Sequence, residues 1–336
     1  MQEVTAPPVT LDNCENEPIH IPGSIQPHGA LVALGPDGRV LTRSENFSQH
    51  LGVDAMLGEL LPDLLLSQLA TLIEAGIQSS EGWIDSTRMT YLGKGFDVIA
   101  HRFMDVVYLE FEPQALPQTA FHQSAADAQR IIAQIRHARD IDGLLRHVTV
   151  AIRELTQYDR VMAYRFRPDD SGEVVAEAHA AGLVSYLGQR YPASDIPHQA
   201  RRLYIQNPTR LIADAAYTPS PLIPPANALT GQAFDMSHCE LRSVSPIHCE
   251  YLSNMGVHAS MSVSIVVGGK LWGLFSCHHQ SAKTLAYPVR LSFHMVSQIC
   301  AVLVERLQQV NEGEAVHQAS VRIHAIEEGF VMPMIF

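Results

Sequence analysis

Residues 191–197 read YPASDIP, and two prolines within this short segment make a regular helix there improbable. Pro197 keeps the residue that precedes it in an extended conformation. Asp195 lies just ahead of that turn, where an aspartate can serve as the N-cap of a helix, here one predicted over residues 198–204. On local grounds alone, the segment is therefore interpreted as a turn followed by a capped helix.

The residues after this segment include four arginines in an otherwise acidic chain: Arg201, Arg202, Arg210 and Arg242. Guanidinium groups bind carboxylates and phosphates with two parallel hydrogen bonds, so a dianionic ligand would explain them. Scattered surface arginines are the simpler explanation when this feature is taken alone.

Further along, three serines alternate on a predicted strand: Ser260, Ser262 and Ser264. Alternate residues of a strand face the same side, so the three hydroxyls share one face. Buried hydroxyls need hydrogen-bond partners, so these serines either point to solvent or line a polar ligand pocket. The strand is predicted over 259–267, and the turn at Gly268 and Gly269 joins it to a second strand at 271–277.

A long helix is predicted over residues 289–310, with apolar residues spaced by three and four. This heptad-like spacing suits packing against a partner helix, and it suits packing against the helix's own domain equally well. The residues after it, 313–336, do not resemble a helical continuation.

Upstream of the opening segment, apolar residues at helical spacing predict a helix from Ile141 to Leu155, and strands follow at 161–166 and 174–177. The proline-rich stretch at 213–237 is predicted to be a long functional loop. An earlier module, about 30–111, combines a hairpin around Gly38, a helix at 60–77 and strands at 96–100 and 106–111, which is typical of a small α+β domain.

Residues 112–123 are predicted to link the two modules, and the first 29 residues are predicted to be an extended arm that carries Cys14. The length of 336 residues and the apolar fraction of 46% fit two globular domains. The net charge of −12 argues against a nucleic-acid partner. No apolar run long enough to span a bilayer and no leader sequence is recognised, which predicts a cytoplasmic protein.

The five cysteines share no CxxC spacing, which suits reduced thiols. A zinc site is disfavoured because His278 and His279 are neighbours on a strand and so face opposite sides. A nucleophilic pair of a cysteine and a histidine lacks an orienting third group. The acidic neighbours of Cys14 would raise its pKa, so on local grounds it is an idle cysteine.

Four longer segments point to one family: 13–29 (NCENEPIHIPGSIQPHG), 191–202 (YPASDIPHQARR), 241–248 (LRSVSPIH) and 271–279 (LWGLFSCHH). All four resemble segments of the bacterial phytochromes. Their order and spacing match the family over residues 11 to about 310. The resemblance implies an α+β fold in which a PAS domain precedes a GAF domain, each with a central antiparallel sheet flanked by helices. It also implies a knot, in which the arm 1–29 threads through the GAF loop at about 213–242. The domains would be 30–115 (PAS) and 120–312 (GAF), with a tail of unknown role at 313–336.

The resemblance further implies a photosensor that binds biliverdin and isomerises its C15=C16 bond in light. Cys14 matches the cysteine that forms the thioether; Cys249 is a rival, but plant-type relatives carry theirs immediately before the histidine, where this chain has Ile247. The backbone carbonyl of Asp195, with His248, would face the pyrrole N–H groups, and His278 would lie near the ring D carbonyl. Ile196 and Pro197 belong to the same binding motif. Tyr164, Tyr191 and Tyr251 match positions around ring D, and the positions that hold the propionates match Tyr204, Arg210, Arg242, Ser245, Ser260 and Ser262.

The family also implies partners that this chain does not contain, a PHY domain and a histidine kinase, together with a homodimer formed through the GAF helices. No catalytic residue and no metal site is expected in this segment. The alternative function is a GAF domain that binds a cyclic nucleotide, with the arginines on its phosphate. That alternative leaves Cys14, His248 and His278 without a role.

Overall fold

The computed structural model of this chain describes residues 16–114 and 119–330, and it describes side chains over 16–114 and 122–323. Cys14 therefore lies outside the described residues. The strands of the first module and those that join them are β1 (Ser24–Ile25), β2 (Ala30–Leu34), β3 (Val40–Ser44), β4 (Gly82–Tyr91), β5 (Lys94–Phe103) and β6 (Val106–Pro113). Its helices are α1 (Phe47–Leu51) and α2 (Asp63–Gln78).

The second module contains helices α3 (Thr119–Ile135), α4 (Ile141–Thr156), α5 (His198–Gln206), α6 (Pro246–Asn254) and α7 (Tyr287–Phe330). Its strands are β7 (Arg160–Phe166), β8 (Gly172–His179), β9 (Arg190–Tyr191), β10 (Thr209–Ile212), β11 (Ser220–Ile223), β12 (Ala259–Val267) and β13 (Lys270–His279). The predicted helix at 141–155 and the strands on either side of the Gly268 turn are confirmed.

Two antiparallel sheets organise these elements. The first has the order β1-β11-β3-β2-β6-β5-β4, and the second has the order β10-β12-β13-β7-β8-β9. The first sheet thus takes β11 from the proline-rich loop of the second module. Helices α1 and α2 cover one face of the first sheet, where Phe47, Leu65 and Leu69 are fully buried. Burying side chains of this size contributes about 1.5–3 kcal/mol each.

The second sheet has two different faces because successive strand residues alternate between them. Val161 and Ala163 of β7 face the helices α3, α4 and α7 and belong to the same buried cluster as Phe293 of α7. Met162 and Tyr164 of β7 face the opposite side, where α5 and α6 lie. One face therefore builds the core, and the other is left to form a site.

Helix α4 shows how local sequence sets these elements. The carboxylate of Asp140 accepts a hydrogen bond from the Gly143 backbone N–H at 2.6 Å, which caps the first turn. The helix ends at Gln157, whose φ of 54° is left-handed. Leu144, Leu145 and other apolar residues at spacings of three and four are buried against the sheet.

Some sequence predictions were wrong. The linker is shorter than the predicted 112–123, because β6 continues to Pro113 and α3 begins at Thr119. Helix α7 continues to Phe330, far beyond the predicted end at residue 310, and its described side chains from 311 to 323 are exposed. Strand β4 was not predicted, because only Met89 and Tyr91 of its ten residues are buried, so few apolar residues mark an inner face.

Residues 287–323 of α7 pass a length and composition test for a membrane-spanning helix. However, 61% of the 18-residue apolar stretch of this helix is buried within the protein, where Phe293, Val296 and Cys300 pack in the core. A buried core helix of a soluble protein passes the same test, so the helix gives only weak evidence for a membrane span.

The arm from residue 16 onward lies between two parts of the loop at about 213–242. On one side, β1 pairs with β11, with Ser24 opposite Pro221. On the other side, Ile25 forms a bridge with Arg242, and the Gln26 N–H donates to the Leu241 carbonyl at 2.7 Å. The two flanking contacts are compatible with the predicted threading of the arm.

Candidate functional site

A cavity of about 440 Å³ lies on the free face of the second sheet, beneath α5 and α6. Every predicted site residue that the structure describes lines it: Tyr164, Tyr191, Asp195, Ile196, Pro197, Tyr204, Arg210, Arg242, Ser245, His248, Tyr251, Ser260, Ser262 and His278. The arm contributes Glu17 and Ile19. The size of the cavity lies within the range of small-molecule sites.

The sheet order separates two kinds of lining. Arg210 on β10 lies beside Ser262 on β12, which in turn lies opposite Ser276 on β13. On the far side of β13, the sheet continues to β7 and β9, which carry Tyr164 and Tyr191. The cavity therefore has a basic, hydroxyl-bearing end and an aromatic end.

The basic end is built from two guanidinium groups, the buried one of Arg242 and the half-buried one of Arg210. Arg242 donates to the Ile19 carbonyl at 2.7 Å, yet its Nε is buried without a hydrogen-bond partner. Burial, and next the charge of Arg210, lowers the pKa of Arg242 to about 9. Since two like charges are held together away from water, an anionic ligand would relieve an unfavourable arrangement.

Arg210 has a different set of contacts, all with the segment that carries Arg242. Its Nη1 donates to the Glu240 carbonyl at 3.3 Å, and its Nη2 donates to the carbonyls of Arg242 and, at 3.0 Å, Ser243. Burial lowers the pKa of Arg210. Arg210 thus fixes the backbone of this segment and adds positive charge to the cavity.

The aromatic end contains Tyr164, Tyr191 and Tyr251. The rings of Tyr164 and Tyr191 lie 6.0 Å apart, and the Tyr251 hydroxyl hydrogen-bonds to the carboxylate of Asp195. Burial raises the pKa of Asp195, while the hydrogen bond from Tyr251 opposes that effect. A carboxylate and several phenols can therefore exchange hydrogen bonds with whatever occupies this end.

The N-cap interpretation of Asp195 is wrong. Asp195 is the last residue of a short 3-10 turn, Ala193–Asp195. The N-cap of α5 is Pro197, and no side chain caps this helix. Arg201 holds the segment instead, since its Nε donates to the Ile196 carbonyl at 2.7 Å. This leaves the Asp195 carboxylate directed at the cavity and at Tyr251.

Two histidines line the cavity between its two ends. Burial, and then the charge of Arg210, lowers the pKa of His248 to about 4, and its ring stacks on that of Tyr251 at 6.3 Å. Burial lowers the pKa of His278 to about 4 as well, with Arg160 the next contributor. Both rings are therefore neutral near pH 7, and the Nδ1 of His278 is buried without a partner.

Comparisons with known proteins agree with the architecture. The family model of the PAS fold matches residues 14–114, and that of the GAF domain matches residues 140–307. A bacteriophytochrome of Pseudomonas aeruginosa is 56% identical over 94% of this chain and 43% of its own length. A cyanobacterial phytochrome B of Nostoc is 38% identical over the whole chain and 47% of its own length. Phytochrome B of Arabidopsis thaliana is 32% identical over 82% of the chain and 27% of its own length.

The chain belongs to the bacteriophytochromes. It carries the PAS and GAF domains of these photoreceptors and spans less than half the length of the relatives just described. The similarity to phytochromes does not favour the alternative function of a cyclic-nucleotide sensor.

The phytochrome cavity also contains residues that sequence analysis missed. Met162, Leu274 and Ser276 line it because they share the strand faces of Tyr164 and His278. Extending the alternation of Ser260 and Ser262 to the neighbouring strands would have found them. Tyr186 lines the cavity from an irregular segment, where no periodicity marks it.

Ser264 differs from the other two serines of its strand. Its hydroxyl donates to the Tyr204 carbonyl at 2.7 Å, and its own carbonyl accepts from Ser297 at 2.6 Å. It therefore connects α5 and α7 to the sheet rather than lining the phytochrome cavity, which agrees with its omission from the predicted site.

Cys249, the rival attachment cysteine, is half-buried on α6 beside His248. It is absent from the described residues that line the cavity, and burial raises the pKa of its thiol to about 11. A protonated thiol is a poor nucleophile, so the environment of Cys249 does not favour attachment there.

A second polar cluster joins the two domains of the phytochrome chain. His101 and Glu110 come from the PAS sheet, and Cys239 comes from the GAF loop. The His101 Nε2 lies 3.5 Å from the Cys239 Sγ, while its Nδ1 lies 3.6 Å from a Glu110 oxygen. Because opposite nitrogens of one ring face the two partners, the arrangement suits a buried polar contact better than a shared metal ion.

Proposed function

We propose that this chain binds biliverdin through a thioether to Cys14 and acts as the light-sensing part of a red/far-red photoreceptor. The observation that carries the proposal is the unpartnered, buried Nε of Arg242 at the basic end of the cavity. Two propionates would place anions beside Arg210 and Arg242, and Ser260, Ser262, Ser245 and Tyr204 would offer hydroxyl donors to them.

Biliverdin, when bound, supplies the absorption of red light and a double bond, C15=C16, that isomerises. The residues of the chain would then orient the pigment, exclude water and respond to the new position of ring D. Tyr164, Tyr191 and Tyr251 would surround that ring, and His278 would donate a hydrogen bond to its carbonyl through the unpartnered Nδ1.

Asp195 has two proposed tasks. Its backbone carbonyl, together with His248, would accept hydrogen bonds from the pyrrole N–H groups. Its carboxylate would release the Tyr251 hydroxyl and bind the flipped ring instead. A carboxylate beside a protonated pigment keeps the pigment's pKa high. New hydrogen bonds at this point would bias an element of the protein that has two stable arrangements.

The arm would carry Cys14 to the cavity. Arm residues Glu17 and Ile19 line the cavity, and Cys14 precedes them by only a few residues, although it lies outside the described part of the chain. We propose domain limits of 1–29 for the arm, 30–115 for PAS and 120–312 for GAF, with the arm threaded through the GAF loop. Residues 313–336 have no proposed role.

The whole protein would add a PHY domain and a histidine kinase, dimerise through its GAF helices and work in the cytoplasm. The PAS–GAF part would carry no catalytic step of its own. Because a PHY domain would seal the cavity, we expect this chain alone to show impaired photoconversion and raised fluorescence.

The first test is attachment. The purified chain is mixed with biliverdin, its spectrum is recorded, and it is then denatured to see whether the pigment stays on the polypeptide. A far-red absorption band and attached pigment are expected, and Cys14→Ala should abolish the attachment. Cys249→Ala is the matched control and should keep it. Attachment that survives in Cys14→Ala but is lost in Cys249→Ala would overturn the linkage.

The second test separates binding from switching. Asp195→His should leave biliverdin attached while suppressing photoconversion, because it replaces the carboxylate that exchanges partners. Difference spectra recorded after red and far-red illumination measure the effect. Unaltered switching would remove Asp195 from the mechanism.

A further inference from the structure

The cavity residue Tyr186 lies in an irregular segment that donates several hydrogen bonds to one buried carboxylate, that of Glu177. The Tyr186 backbone N–H lies 3.0 and 3.1 Å from the two oxygens of Glu177. The Leu187 N–H donates to the same carboxylate at 3.2 Å, and the Ser185 hydroxyl does so at 2.5 Å. Three consecutive residues are thus tied to one side chain, and that side chain is only 2% exposed.

Arg160 completes this arrangement. Its guanidinium group lies 3.6 Å from the centre of the Tyr186 ring, and its Nη2 donates to the Val184 carbonyl at 2.5 Å. Its Nη1 lies 3.3 Å from the Glu177 carboxylate. A planar cation on the face of a ring fixes the orientation of that ring as well as its position.

The pair lies directly beside the aromatic end of the cavity. Arg160 is the cross-strand partner of His278, so the two side chains share one face of the sheet. Tyr186 lines the cavity together with Tyr164 and Tyr191. A displacement of residues 184–187 would therefore change the walls around that end of the cavity.

We infer that Arg160 and Glu177 are positioning residues that hold Tyr186 against the pigment and so restrict the rotation of its isomerising ring. This inference rests on the proposed binding of biliverdin. Its basis is that the pair contacts residues 184–187 through five hydrogen bonds and a ring face, and that Tyr186 is the member of this segment that lines the cavity.

The test compares Glu177→Gln with Glu173→Gln. Glu173 lies on the same strand and pairs with Arg167 and Arg190, so it is a matched control that leaves residues 184–187 untouched. In Glu177→Gln, the amide hydrogens of Tyr186 and Leu187 should exchange about tenfold faster or more, because the neutral amide keeps only one acceptor oxygen and binds N–H groups more weakly than a carboxylate does. In Glu173→Gln, their exchange rate should not change.

The second readout is the emission yield of the pigment-loaded chain. A ring that rotates more freely returns to the ground state without emitting, so Glu177→Gln should lose emission relative to Glu173→Gln. Attachment of biliverdin should be the same in both variants. Arg160→Lys keeps the charge but not the planar contact with Tyr186, and it should also lose emission.

Unchanged emission in Glu177→Gln, with faster exchange at Tyr186 and full attachment, overturns the inference while the proposed function stands. An unchanged exchange rate of the Tyr186 and Leu187 amide hydrogens in Glu177→Gln also overturns the inference, and this measurement needs no pigment. If Glu177→Gln does not fold, Ser185→Ala removes a single donor to Glu177 from an exposed site and must show the same direction in both readouts. Failure of the parent chain to attach biliverdin would count against the proposed function instead.

Discussion

The contact between the PAS and GAF domains depends on a buried ion pair whose removal should destabilise the protein strongly. Arg290 of α7 is 1% exposed and makes two parallel hydrogen bonds to Glu112 of β6, at 2.9 and 2.6 Å. Glu240 lies 3.6 Å from the Nε of the same arginine. Glu112→Gln keeps the shape of the side chain but leaves the buried guanidinium with one distant carboxylate.

The size of the effect follows from burial. Removing one partner of a buried pair costs about 3–5 kcal/mol, because the remaining charge has lost its compensation. At about 2–4 °C per kcal/mol for a domain of 150–250 residues, the midpoint of thermal unfolding should fall by about 6–20 °C. Asp105→Asn is the control: Asp105 pairs with Arg102 but is 81% exposed, so the loss should stay below about 1 kcal/mol.

The assay uses the two tryptophans of the chain, one in each domain. Trp83 lies in β4 and Trp272 in β13, so single-tryptophan versions made by Trp→Phe follow one domain each during urea unfolding. Each variant is compared with a parent that carries the same Trp→Phe change, because the Trp83 Nε1 donates to the Tyr287 hydroxyl of α7 at 3.2 Å. Glu112→Gln should shift both transitions to lower urea and separate them, because the pair joins the domains. A shift no larger than that of Asp105→Asn would refute the reasoning.

The pH dependence of this pair has a definite sign. Burial alone would raise the pKa of Glu112, but the adjacent Arg290 outweighs it and lowers the pKa below its usual value. A carboxyl with a lowered pKa in the folded state contributes stability above its unfolded pKa and loses it as the pH falls through the folded pKa. The difference in stability between the parent and Glu112→Gln should therefore be constant near neutral pH and shrink on acidification.

Three further predictions concern single sites. Gly172→Ala should disturb the aromatic end, because an added Cβ would lie 1.7 Å from the Tyr164 ring; a changed absorption spectrum of the pigment-loaded chain would show it, and an unchanged one would contradict it. Burial raises the pKa of Glu110 to about 8, so the parent should lose stability relative to Glu110→Gln as the pH rises from about 5 to 8, measured by urea unfolding; a parallel pH profile would contradict it. Asp140→Ala should cost about 1 kcal/mol by removing the cap on Gly143, and thermal unfolding indistinguishable from the parent would contradict it.

Much of the fold could be predicted from periodicity, since α4 and the hairpin of β12 and β13 each repeat a local pattern over many residues. The short strands could not be predicted this way. β1 and β11 pair through two residues each, about 200 positions apart in the chain, and no local pattern encodes such a contact. The end of α7 was missed for another reason: the polar stretch around Gly313 interrupts the apolar spacing, and the apolar residues beyond it, such as Val316 and Ile323, are exposed and pack on no core.

The site, too, could be predicted only in part from local sequence patterns. Ser260 and Ser262 could be placed on one face from their alternation alone, but the same argument could not decide between solvent and a cavity. Asp195 was assigned to a helix cap because its neighbours in sequence resemble one, while the partner that fixes its role, Tyr251, lies on a different helix. Rules based on neighbouring residues assign the Asp195 carboxylate to a nearby backbone amide, whereas its observed partner, Tyr251, lies more than fifty residues further along the chain.

The basic end of the cavity owes its form to the arm as much as to the GAF domain. Arg242 donates to the Ile19 carbonyl, Ile25 bridges Arg242, and the hydroxyls of Ser24 and Ser243 bond at 2.9 Å. The same two-residue strand that contains Ser24 also pairs with β11 in the PAS sheet. A shift of the arm would therefore disturb Arg242 and the PAS sheet together. These contacts explain why the described arm residues that follow Cys14 adopt a defined conformation.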